Sequence, residues 1–67
     1  MDPAQLPDRL TIDVLRGVAR GRSNAEVASD CHVSERTLNR KLAEVRGLWG
    51  VDTTIEAVVV AARFDLL

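Results

Sequence analysis

Residues 23–46 read SNAEVASDCHVSERTLNRKLAEVR. Ser23 followed three residues later by Glu26 is a capping-box pattern, and it opens a helix. Ala25, Val27 and Ala28 follow, but the segment is short, because DCHV leads straight to a second cap at Ser34. His32 falls where a tight turn between helices needs a left-handed backbone, a role usually given to Gly and less often to Asn, Asp or His. After Ser34, apolar residues recur at Leu38, Leu42, Val45 and Trp49 with helical spacing. Turning those inward leaves Arg36, Asn39, Arg40, Ala43 and Gly47 on the far side. A short helix, about four residues of turn and a helix with a polar outer face make a helix-turn-helix over about residues 23–48.

The flanks supply two more helices. Asp8 can cap a segment whose Leu10, Val14, Leu15 and Val18 form one stripe and which Gly21 ends. Arg16 and Arg20 stand near that end, where cations suit the helix dipole. Gly50 stops the third segment. Thr53 and Glu56 then repeat the capping-box pattern before AVVVAARF. The valines at 58–60 favour a strand, but the cap, the alanines at 57, 61 and 62, and the lack of a strand to pair with predict a helix over about 53–65. The expectation is therefore one all-α, four-helix domain over residues 1–67.

Composition narrows the function classes. With 67 residues the chain is a single small domain near the lower size limit for an unassisted apolar core. Trp49 and Phe64 are its only aromatics, so the core is aliphatic. No apolar run approaches the roughly 18 residues of a membrane span. The start, MDPAQLPDRL, lacks the basic-then-apolar order of a signal peptide, and one cysteine cannot form an internal disulfide. A cytoplasmic location is expected. Cys31 and His32 have no second pair of ligands, so no metal and no cofactor is expected, and no nucleophile–base pair suggests an enzyme.

The net charge of −1 is unevenly spread. Residues 1–15 carry −2, residues 16–46 carry +3 and residues 47–67 carry −2. Scattered arginines also suit an ordinary solvated surface. The middle is nevertheless basic and the ends are acidic. Phosphate contacts are expected from Arg22, Arg36, Lys41 and Arg46, from the Thr37 hydroxyl, and from the helix starts at Ser23–Asn24 and Ser34. The last helix poses a separate question. Ile55, Val58, Ala61 and Ala62 can face the core, yet Val59, Val60 and Phe64 remain, with Arg63 among them. A helix apolar nearly all round is buried on two sides. The second partner is another copy of the chain or an absent domain of a longer protein.

The chain resembles the LuxR-type (GerE- or FixJ-type) DNA-binding domain of bacterial transcription regulators. VLRGVARGRSNAEVA, VSERTL, GV at 50–51, EAVVVAA and the final LL match in one register over roughly residues 7–67. The resemblance implies a four-helix domain whose third helix enters the major groove of double-stranded DNA and whose fourth pairs two copies into a homodimer. It implies base contacts from Asn39, Arg40 and Ala43. Arginine can bridge the two acceptors of guanine, asparagine can pair with adenine, and alanine can touch a thymine methyl. An upstream signal-sensing domain and RNA polymerase are the further partners it suggests.

The chain departs from the family pattern at Leu10 and Thr11, Cys31 and His32, Asn39 and Lys41, Leu48 and Trp49, and Thr54 and Ile55. These departures and the acidic balance keep open an interaction module that pairs with or inhibits a regulator without binding DNA strongly. A domain like region 4 of a sigma factor shares the helix-turn-helix and is a third reading.

Overall fold

The computed structural model describes residues 6–67. Residues 1–5, the beginning of the expected domain, lie outside the described residues. Four helices follow one another: α1 (Arg9–Ala19), α2 (Asn24–Asp30), α3 (Glu35–Trp49) and α4 (Thr54–Arg63). No strand occurs among the described residues, so the valine run of α4 is helical. No described helix is long and apolar enough to cross a membrane.

The starts and stops are set by single side chains. Asp8, Ser23, Ser34 and Thr53 each accept the backbone N–H three residues on, from Thr11, Glu26, Thr37 and Glu56. Each such cap stabilises its helix by about 1 kcal/mol. At Ser23 the box is reciprocal, with Glu26 accepting the Ser23 N–H at 3.0 Å. At Thr53 the hydroxyl donates instead to the Glu56 carboxylate at 2.9 Å.

Each helix is followed by a residue of positive φ: Gly21, His32, Gly50 and Asp65. After α2, His32 N–H reaches Ser29 O at 3.1 Å and Val33 N–H reaches Ala28 O at 3.0 Å. After α4, Asp65 N–H reaches Ala62 O and Leu66 N–H reaches Ala61 O. Both are Schellman endings, which satisfy the carbonyls of the last turn and fold an apolar residue back onto the core. Val33 and Leu66 are those residues, and both pack against it. His32 thus holds the left-handed position expected of it, at φ 58.

The core is aliphatic, as expected. Val14 and Leu15 of α1, Val27 and Ala28 of α2, Leu38, Leu42 and Val45 of α3, and Ala57 and Ala61 of α4 are buried together. Trp49 is half-buried at its edge. The α4 helix buries Ala61 and packs Val58 against the core, as expected, but is turned so that Ala57 rather than Ile55 or Ala62 completes the inner face. Ala57 and Ala61 look inward, while Ile55 is 67% exposed and Ala62 is exposed. Two small side chains four residues apart let α4 lie close against α1 and α3. Thr11, not expected in the core, is buried beside its α1 neighbours. Gly17 of α1 also has a packing role. A Cβ there would lie 2.8 Å from Val27 Cγ2, so the two helices meet where α1 has no side chain.

Candidate nucleic-acid interface

The α3 helix is anchored on one side and open on the other. Leu38, Leu42 and Val45 are buried, with Leu38 wholly inaccessible. Arg36, Asn39, Arg40, Ala43 and Gly47 are exposed. The three residues expected to read bases therefore lie on the solvent side of a helix whose rear is clamped by α1, α2 and α4. Arg36, Thr37 and Arg40 line an open concavity near the N-terminal end of α3.

The cations fall into two groups. Arg36 and Arg40 form no ion pair or hydrogen bond with any described residue. The other expected phosphate ligands are engaged. Arg22 Nε lies 2.6 Å from Asp30 Oδ2, and its Nη2 is 3.7 Å from Glu26 Oε2. Arg46 donates to the Thr54 hydroxyl at 3.1 Å, joining the end of α3 to the start of α4. Lys41 departs furthest from expectation. Its Nζ sits 2.6 Å from Asp8 Oδ2 and 3.9 Å from Glu44 Oε2, and its side chain is only 17% exposed. The aspartate that caps α1 thus also holds α3, a second role that a reading of local pattern does not reveal.

These contacts fix the carboxylates in their charged forms. The Lys41 ammonium, helped by the Thr11 N–H, holds the Asp8 carboxyl far below the usual carboxylate range. The Ser23 N–H, and less so Arg22, lowers Glu26. Glu26 therefore places a negative charge at the N-terminal end of α2, beside the N–H groups of Ser23–Asn24 that were expected to meet phosphate. At the start of α3, Ser34 donates its hydroxyl to Thr37 Oγ1 and accepts the Thr37 N–H, so both hydroxyls are already oriented. Burial raises the Cys31 thiol, with Asp13 and Asp30 adding to the shift. Cys31 is half-buried against the core, and its neighbour His32 is exposed in the turn.

On α4, Val59 is 45% exposed, Phe64 is 50% exposed and Arg63 is exposed. Val60 is only half-exposed. Ile55, expected inside, joins Val59 on the outer row one turn away.

A family model described as bacterial regulatory proteins, luxR family, matches residues 10–61, from the first turn of α1 into α4. No curated protein and no solved structure matches the chain.

Proposed function

The chain belongs to the luxR family of bacterial regulatory proteins and carries a helix-turn-helix, and from that premise we propose sequence-specific binding of double-stranded DNA. In this reading α3 lies in the major groove, with Asn39, Arg40 and Ala43 at base edges. One observation carries it. Two unpaired guanidinium groups, Arg36 and Arg40, share an outward face of a helix whose opposite face is locked in the core. A bidentate arginine–guanine pair discriminates by about 1–3 kcal/mol. Arg36, the N–H groups at Ser34 and Thr37 position the helix on phosphate. Arg22 and Arg46 contribute there by exchanging their present partners for it, and Ser23–Asn24 by backbone N–H groups beside Glu26.

With few free cations, one copy binds weakly, and two copies joined through Val59, Val60, Arg63 and Phe64 are needed for a stable complex. A two-fold pair sets its recognition helices about one turn apart and reads an inverted repeat. The protein then acts in the cytoplasm as a transcription regulator, alone or below a signal-sensing domain, and its output passes to RNA polymerase. The work is binding, not catalysis.

The exposed Ile55, Val59 and Phe64 also favour a second reading, an interaction module that pairs with another regulator through α4. Titrating salt against binding to random duplex DNA separates the two. Binding at low salt that falls steeply as salt rises supports the DNA reading. No binding at low salt, with retained self-association, supports the module.

A further inference from the structure

We propose that Asp8 holds down the sequence-independent affinity of the DNA-binding face by masking the charge of Lys41. The inference rests on the DNA-binding reading and concerns a residue outside the matched span of 10–61. Asp8 divides its carboxylate between two helices. One oxygen accepts the Thr11 N–H at 2.8 Å and the other accepts Lys41 Nζ at 2.6 Å, across 33 residues of sequence. Glu44, one turn along α3, adds a second carboxylate 3.9 Å from the same ammonium. Lys41 follows Arg40 directly and stands on the flank of α3 that faces the start of α1.

The consequence falls on affinity rather than on base preference. Arg36, Arg40 and Lys41 are the cations in the first two turns of α3, and one of the three is neutralised from α1. Phosphate contact strengthens binding to every sequence alike, whereas base contact distinguishes sequences. Withholding Lys41 lowers the first and leaves Asn39 and Arg40 to supply the second. A lysine stem is long and flexible, with a compact charge at its end. Once released from Asp8, it reaches the phosphate backbone beside Arg40. Asp8 is thus a positioning residue that acts on DNA through Lys41.

The test compares Asp8→Asn with the native chain on random duplex DNA and on a duplex selected by the native chain. Asparagine still caps α1 through its amide oxygen but no longer neutralises the ammonium. The slope of log K against log salt is expected to steepen by about 0.9, one further phosphate contact. Between about 50 and 200 mM salt, that is roughly 3-fold more affinity lost. The ratio of selected to random binding stays the same, because the added phosphate contact strengthens both alike. Asp8→Ser, which also keeps a cap, is expected to do the same, and Asp8→Asn with Lys41→Ala returns the native slope. Circular dichroism confirms that each variant is folded. An unaltered slope in a folded Asp8→Asn or Asp8→Ser chain overturns the inference, as does a steepened slope that survives Lys41→Ala. If the native chain does not bind but Asp8→Asn does, masking stands and the native DNA-binding reading fails. If neither binds, both fail.

Discussion

Gly17 of α1 lies directly against Val27 of α2: a Cβ on Gly17 would stand 2.8 Å from one Val27 γ-carbon and 3.1 Å from the other. Val27 is 1% exposed and β-branched, so it has little freedom to turn aside. Gly17→Ala therefore overpacks the seam at a cost of about 1–3 kcal/mol, which outweighs the roughly 1 kcal/mol that alanine adds to helix stability. Urea unfolding is expected to show a lower midpoint. Adding Val27→Ala should cost less than the two single changes together, because the missing γ-carbons make room. Simple additivity would show that the seam yields elsewhere.

His32 sits at φ 58 in the turn of the helix-turn-helix, with its N–H bonded to Ser29 O. A β-branched side chain is strained there. His32→Val is expected to destabilise the fold by about 1–2 kcal/mol, while His32→Gly is neutral or stabilising. Equal midpoints for the valine and glycine variants would contradict the left-handed turn.

Asp8 links stability to acid. Its carboxyl is depressed chiefly by the hydrogen bond from Lys41, with Thr11 and Glu44 the other polar groups around that ammonium and carboxylate. A depressed carboxyl stabilises the fold fully above its unfolded value of about 4, and the contribution is lost as pH falls toward the folded value. The pair is partly exposed, so the effect is on the order of 1 kcal/mol or less. Urea midpoints followed from about pH 5 downward should fall less steeply for Asp8→Asn than for the native chain. Glu26, lowered by the Ser23 N–H, keeps some acid dependence in both. Parallel curves would deny the Asp8–Lys41 tie.

The α4 surface predicts self-association. Val59 is 45% exposed within one copy, so Val59→Glu leaves the core intact while placing a charge on the outer row with Ile55. Sedimentation should show the native chain pairing as its concentration rises and Val59→Glu staying single. A native chain that stays single throughout, on DNA as well as off it, would remove the paired complex.

The helices were legible because each begins on a short polar side chain and most end on glycine or its substitute, features that act within four residues. Gly21, His32 and Gly50 announce their turns in this way, whereas Asp65 does not, since aspartate is common in many other settings. The outward face of α3 was also legible, because Leu38, Leu42 and Val45 fix its rotation. The rotation of α4 was legible only in part, in Val58 and Ala61. Its Ile, Val and Ala residues offer apolar stripes on more than one side, and close packing against α1 and α3 selected the two alanines over Ile55. The fate of the cations was hidden for a related reason. Lys41 with Asp8, Arg22 with Asp30 and Arg46 with Thr54 meet at separations of 33, 8 and 8 residues. Helical spacing does not foretell such pairs.

In the proposed complex the outward side chains of α3 read base edges. Selecting duplexes from a random pool with the native chain, Arg40→Ala and Arg36→Ala decides whether they do. Arg40→Ala is expected to lose preference at one position in each half-site, by about 1–3 kcal/mol, while the other positions keep theirs. Arg36→Ala should weaken all sequences nearly alike and reduce the salt slope by about 1. An Arg40→Ala chain that selects the same sequences as the native one, with undiminished preference at every position, would rule out base readout by Arg40.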